Sequence, residues 1–170
     1  GFNMPLKHHA VLNFLRSKEV DVVALLETKL EISFSTSLMG KKFSGWSYAH
    51  NFAQHRAGRI LLMWKEDRVI VDILEMTPQA IHCKIVCKVT NSHGWASFVY
   101  GLHSITEQRH LWNSLQEFVN QVNGPWLIMG DFNSVLSPED RKNGSDVSEY
   151  EMTDFNNCCS DLGLQQLRTT

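Results

Sequence analysis

The sequence predicts an α+β fold with two packed β-sheets. Three observations carry that expectation. Apolar residues recur at helical spacing near the start of the chain and again in its second half. Short β-branched runs end in acids, which is how a buried sheet delivers charge to its rim. Between them the chain alternates with period two through consecutive strands joined by polar turns. The chain is 170 residues long, 43% hydrophobic and 20% charged, with four prolines and ten glycines. One ordinary globular domain is the expectation at that length. The net charge of −2 gives no overall attraction to nucleic acid, although a local groove can still be basic.

Taken in order, the first element is a helix from Pro5 to about Lys18. Pro5 suits a first turn, and Leu6, Ala10, Val11, Phe14 and Leu15 form its apolar face. His8 and His9 are adjacent, so they point to different faces and are expected in solvent rather than on a metal. Val20–Leu26 is short and nearly all apolar, as in a central strand, and it runs into Glu27-Thr28-Lys29. Residues 31–58 show little periodicity beyond a strand near Tyr48–Asn51 and a polar turn after it. Strands follow at Arg59–Trp64, Val69–Met76 and Ala80–Thr90. In the last of these, Ile81, Cys83, Ile85, Cys87 and Val89 share one face, so both cysteines are expected as core thiols and not zinc ligands. The turn at Asn91–Gly94 makes Ala80–Tyr100 a hairpin.

A second amphipathic helix spans Glu107–Val122, with Leu111, Leu115, Phe118, Val119 and Val122 on one face. Trp126–Met129 is expected as a short buried strand stopped by Gly130. Asp131 and Asn133 then emerge on the same side, because strand side chains alternate. A carboxylate and a carboxamide at the open end of a strand suit catalysis: Asp131 to activate water, Asn133 to hold the phosphate that the water attacks. Glu27, at the end of another strand, reads by itself as a charge turning into water, and with Asp131 as a second strand-end acid it reads also as a metal ligand. A third helix begins at Ser148, where Glu151 completes a capping-box pattern, carries Met152, Phe155, Cys158 and Cys159, and stops at Gly163. The four cysteines lack framework spacing, which predicts a reducing, intracellular compartment, nuclear or cytoplasmic. No apolar stretch is long enough to span a bilayer.

Four stretches, in order, carry a resemblance: Gly1–His8, Leu-Leu-Glu-Thr-Lys at Leu25–Lys29, Phe-Val-Tyr-Gly at Phe98–Gly101 with Arg109-His-Leu-Trp112 behind it, and Met-Gly-Asp-Phe-Asn-Ser-Val at Met129–Val135. The tail Phe155–Leu164 adds to them. The chain resembles the endonuclease/exonuclease/phosphatase superfamily, the fold of DNase I and of apurinic-site endonucleases. Within it, the likeness is nearest to the endonuclease domain of plant LINE-type (non-LTR) retrotransposons. The resemblance implies a four-layer α/β sandwich, two packed mixed sheets flanked by helices.

It also implies roles. Glu27 matches a glutamate that binds catalytic Mg²⁺ (with Mn²⁺ as a substitute). Asp131 matches the general base, and Asn133 matches the residue that bonds the phosphate or orients the nucleophile. Tyr100 matches a tyrosine that reaches the scissile phosphate. His103 stands where relatives often have Asn, and with Arg109 it is a candidate for substrate contact. The implied substrate is DNA, nicked to leave a 3′-hydroxyl, and the implied partner is a reverse transcriptase domain in a longer parent chain. The family's Trp-Asn-x-Arg-Gly motif would meet this chain only at Gly1, and its Ser-Asp-His motif would lie beyond Thr170. The expectation is therefore a partial domain over residues 1–170, weak or inactive alone, with a sheet edge or apolar face open to aggregation. Two other readings stay open: a phosphatase acting on a small phosphorylated molecule, and a non-catalytic retroelement remnant.

Overall fold

The computed structural model describes residues 2, 5–54, 59–141 and 146–167. They fall into two compact units: Gly1–Tyr100 with Asn123–Asp131, and Gly101–Val122 with Phe132–Thr170.

The first unit holds α1 (Pro5–Ser17), β1 (Val22–Leu26), α2 (Ile32–Lys42), β2 (Ser47–His50), β3 (Ile60–Trp64), β4 (Val69–Met76), β5 (Ala80–Cys87), β6 (His93–Tyr100) and β7 (Trp126–Asp131). Two sheets result, in the orders β1-β3-β2 and β4-β5-β6-β7. The first pairs antiparallel throughout, and the second ends in a parallel β6–β7 pair. Ile60 and Leu62 of β3 meet Ile81, Cys83, Ala96 and Phe98 between the sheets. The opposite face of β3, through Leu61 and Met63, packs against Leu15, Leu38, Met39 and Phe43 of the α1–α2 layer. All four β3 side chains from Ile60 to Met63 are fully buried, and each such burial contributes on the order of 1.5–3 kcal/mol. The arrangement is the α+β sandwich that the sequence predicts.

Several local expectations change. β3, not β1, is the central strand of the first sheet, and β1 lies at its edge. The inward face of α1 is His8, Val11, Leu12 and Leu15, whereas Leu6 and Phe14 are exposed. His8 is buried rather than solvated: its Nε2 lies 2.8 Å from the Phe2 carbonyl oxygen and its ring meets the Phe2 ring edge-on. Helix α2 escapes the periodicity because Ser, Thr and Gly fill it. Its buried positions are Ser35, Leu38 and Met39, a three–four spacing with a serine where a large apolar residue is expected. β5 ends at Cys87, so Val89 lies beyond the strand and is exposed, and Cys87 is only half-buried. His82, on the face opposite Cys83, is fully buried as well.

β7 departs furthest. It is an edge strand, not a buried one, with Leu127 and Met129 substantially exposed. Gly130 does not stop it. The strand continues to Asp131, and Gly130 adopts a φ of 146° so that β7 can close on β6, where a Cβ would run into the Val99 carbonyl oxygen. The polar turn after Asn51 contains one short 3₁₀ turn, Phe52–Gln54, and then passes outside the described residues at 55–58.

The second unit holds α3 (Ile105–Phe118) and α4 (Glu149–Asp161). Leu111, Trp112, Leu115 and Phe118 of α3 are buried, as are Phe155 and Cys158 of α4. Phe155 stacks on Trp112 and on Phe132 at centroid distances of 4.8 and 4.9 Å, and those two rings lie 6.3 Å apart, closing a three-ring cluster. Ser148 precedes α4 but makes no side-chain cap bond, and Glu151 instead pairs with Arg141 at 3.1 Å, so the capping box does not form. Gly163, with φ 62°, ends the helix as expected, through hydrogen bonds from its own N–H to the Ser160 carbonyl and from Leu164 to Cys159. Among the described residues, no helix is long and apolar enough to cross a membrane.

Candidate active site at the strand ends

Antiparallel pairing of β1 with β3 sets Leu26 opposite Ile60, so the residue after β1 and the residue before β3 leave the sheet at one end. Those residues are Glu27 and Arg59. Glu27 and Lys29 have φ values of 49° and 55°, and Thr28 between them is fully buried with its carbonyl accepting the Phe2 N–H at 2.7 Å. This tight kink turns both charged side chains outward. The Lys29 ammonium lies 2.8 Å from the Glu27 carboxylate, and each is about half exposed. The hydrogen bond and charge of Glu27 raise the Lys29 ammonium above its ordinary value, and Tyr100 adds to the effect.

Asn51 braces the same end. Its Oδ1 accepts the Ile60 N–H at 3.0 Å, and its Nδ2 donates to the Thr77 and Pro78 carbonyls at 2.9 and 3.2 Å. One buried carboxamide thus ties the end of β2, the start of β3 and the β4–β5 turn, using three of its hydrogen-bonding positions. Arg59, one residue before Ile60, places its guanidinium carbon 5.3 Å from the centroid of the Tyr100 ring, a cation–π distance. Tyr100 closes β6 with its ring buried and its N–H bonded to the Gln79 carbonyl at 2.9 Å.

In the parallel β6–β7 pair the register sets Tyr100 beside Asp131, and both follow the alternation that turns Phe98 toward the sheet interface. Asp131 is exposed at the strand terminus. The first unit therefore gathers three of the predicted residues, Glu27, Tyr100 and Asp131, at its strand ends, with Arg59 and Lys29 added. Arg59 is absent from the sequence-based candidates, yet its signal is present: a cation just before an apolar strand mirrors the acid just after one, and antiparallel pairing brings those positions together.

Asn133, His103 and Arg109 belong to the second unit. The strand alternation that aligns Asn133 with Asp131 in the sequence does not reach it, since β7 ends at Asp131 and Asn133 has a left-handed φ of 49°. Its Nδ2 donates to the Gly101 carbonyl at 2.7 Å, and its own carbonyl accepts from Gln108 Nε2 at 2.7 Å. The same Gln108 nitrogen donates to the Leu102 carbonyl at 2.7 Å, so a buried glutamine fixes the Asn133 backbone. Nothing in the sequence pattern singles out Gln108. His103 is exposed before α3. Arg109 donates to Asp154 at 2.8 Å, joining α3 to α4, and this pairing raises its guanidinium above the ordinary value.

Among the described residues, no three His, Cys, Asp or Glu side chains gather into a metal cage. The donors at the strand ends are carboxylates with neither sulfur nor imidazole in the set. That fits a hard cation held by one or two carboxylates and otherwise by water and substrate oxygens, which is the habit of Mg²⁺. The thiols lie elsewhere: burial pushes Cys83 and Cys158 up to about 12, as inert core groups.

The backbone is similar to several solved structures. A mannosyl-6-phosphatase from Bacteroides thetaiotaomicron aligns with a TM-score of 0.60 at 14% identity, over 76% of this chain and 57% of that one. TDP2 of D. rerio, solved with a single-strand DNA product, aligns at 0.56 with 11% identity, over 92% and 57%. The catalytic domain of human Nocturnin, solved with a bound sulfate anion, aligns at 0.53 with 14% identity, over 77% and 58%. These likenesses establish a DNase I-like fold, and the chain spans less than two thirds of the length of each structure. No curated protein matches the sequence. The profile of the Endonuclease/Exonuclease/phosphatase family matches residues 2–169, and the chain belongs to that family.

Proposed function

We propose that this chain carries the catalytic strand ends of a Mg²⁺-dependent phosphodiesterase that nicks DNA, of the type found in plant LINE retrotransposons. The observation supporting it most directly is the β6–β7 register that sets Tyr100 beside Asp131 at one end of the sheet. In this reading Asp131, exposed at the end of a fixed strand, accepts the proton of the attacking water. Tyr100, its ring held by packing and by Arg59, offers a hydroxyl to a phosphate oxygen. Asn133, anchored through Gly101 and Gln108, orients phosphate or nucleophile. Glu27 would hold the metal, and Lys29 would then compete with the ion for that carboxylate. A bound Mg²⁺ would supply charge neutralisation at the phosphodiester and at the leaving oxygen. His103 and Arg109 are assigned to DNA contact, and the nick would leave a 3′-hydroxyl for a reverse transcriptase in the parent chain to extend.

A second reading is a phosphatase of small phosphorylated molecules, favoured by the fold shared with a mannosyl-6-phosphatase. The same acids and tyrosine would serve it. Supercoiled plasmid and mannose 6-phosphate, each incubated with the chain and Mg²⁺, separate the two. Nicking that Asp131→Ala abolishes supports the nuclease. Phosphate release without nicking supports the phosphatase, and inactivity on both substrates, in the parent chain as well, favours a non-catalytic remnant.

A further inference from the structure

The opposite end of the first sheet carries a cavity of about 200 Å³ that the strand-end chemistry does not use. The register places it there: Trp64 pairs with Val22 and with Ser47 at the far end of β3, four residues or roughly 13 Å along the strand from Ile60. Arg16 from the last turn of α1, Lys42 from the last turn of α2 and Lys65 just after β3 line it, together with Ser44 and Trp46. Leu15 supplies part of its apolar floor.

Among the described residues, no acid lines this cavity. The Lys65 ammonium lies 5.4 Å from the Trp46 ring centroid and 3.2 Å from Asp21, a carboxylate that also faces Arg68 at 3.6 Å. Among the described residues, Arg16 and Lys42 have no acidic partner. The simpler account is that they offset the negative C-terminal ends of α1 and α2. Each helix end presents only about half a charge, however, so the two full cations Arg16 and Lys42 exceed what that requires. Lys65 and Arg68 share Asp21, and the nearby Glu66 carboxylate accepts from the Ser47 hydroxyl instead of lining the cavity. Positive charge is left over around a concave, partly aromatic wall with a serine hydroxyl in it.

We propose that this cavity binds a phosphate monoester carrying a small ring, such as a nucleoside monophosphate. Arg16, Lys42 and Lys65 take the phosphate, with Ser44 able to donate a further hydrogen bond, and the ring lies against Trp46 and the leucine floor. At about 200 Å³ the cavity is smaller than drug-sized pockets, which begin at about 300 Å³, so it holds the phosphate and the edge of the ring while the rest of the ligand stays in solvent. The site is separate from Glu27 and Asp131, and it stands whether or not the strand ends cut DNA.

Isothermal titration of the intact chain with AMP, inorganic phosphate and adenosine, in EDTA, tests this. AMP is expected to bind more tightly than phosphate, adenosine to bind least, and added salt to weaken AMP. The Arg16→Gln/Lys42→Gln variant is expected to weaken AMP by about tenfold or more while keeping the wild-type circular dichroism, since both side chains are exposed. Trp46→Ala is expected to remove the preference for AMP over phosphate, and Asp131→Ala to leave binding unchanged. The proposal is overturned by absence of AMP binding, by equal binding of phosphate and AMP, by insensitivity to Arg16→Gln/Lys42→Gln, or by loss in Asp131→Ala, which would move the ligand to the other end of the sheet.

Discussion

Arg59 and Tyr100 face one another across the two sheets, with the guanidinium carbon 5.3 Å from the phenol centroid. The contact joins the residue that precedes the central strand of one sheet to the residue that closes an inner strand of the other. It brings a positive charge to the end of the sheet where Glu27 and Asp131 also emerge. Removing the charge with Arg59→Met should cost about 0.5–2 kcal/mol of stability. Tyr100→Phe keeps the ring and the cation contact, so thermal unfolding should barely move. Nicking, by contrast, should fall by on the order of tenfold or more. A Tyr100→Phe variant with wild-type activity would remove the hydroxyl from the mechanism.

Gly130 holds β7 closely against the Val99 backbone of β6. Its φ of 146° and its close approach to the Val99 backbone leave the methyl group of an alanine no place without parting β7 from β6. Gly130→Ala should destabilise by about 3 kcal/mol or more in urea denaturation. The loss should be accompanied by faster hydrogen exchange at the amides joining β7 to β6.

Asn133 separates backbone from side-chain requirements. Its φ of 49° suits Gly better than Ala, while its carboxamide reaches the Gly101 carbonyl. Asn133→Gly should therefore be more stable than Asn133→Ala by about 1 kcal/mol, and both should lose activity to the same degree. Gln108→Leu, which deprives the Leu102 and Asn133 carbonyls of their shared donor, should cost about 1–3 kcal/mol and lower activity without touching substrate.

His82 makes stability depend on pH. Its Nδ1 lies 2.7 Å from Ser97 Oγ, which also accepts the Trp126 indole N–H at 2.9 Å, and burial holds the imidazole down to about 4. The unfolded chain, with an ordinary value near 6.5, binds the proton first. The contribution is thus fully present above about pH 6.5 and is lost as the pH falls toward 4, by at most ~3 kcal/mol. Urea midpoints measured from pH 7 to pH 4 should show this slope, and His82→Gln should flatten it.

Where one pattern dominates, the sequence is legible. The bounds of β4, Val69–Met76, follow from it residue for residue, because a β-branched run between turn signals leaves little choice. The two acids and the phenol are legible as strand-end residues: Tyr100 stands beside Asp131 in register, and Glu27 leaves the first sheet at the end where Arg59 meets the Tyr100 ring. Single-chain pattern does not say which strands lie at an edge, since β1 and β7 are as apolar as a central strand and only pairing order distinguishes them. His8 defies its sequence context because its burial depends on the Phe2 carbonyl, a partner set by the tertiary path of the chain. Arg59 is inconspicuous for the same reason: its meaning lies in Tyr100, 41 positions away in sequence by their numbers.

The left-handed residues at Glu27, Lys29 and Asn133 carry a consequence for protein engineering. All three lie in the strand-end stretches, and glutamate and lysine adopt such backbone at a cost of roughly 1–2 kcal/mol each. A stabilisation screen that scores only folding would choose glycine at these positions and recover that energy. The same substitutions would delete the carboxylate, the ammonium and the carboxamide. Thermostable variants of this chain selected without an activity filter should therefore converge on a well-folded, chemically silent scaffold.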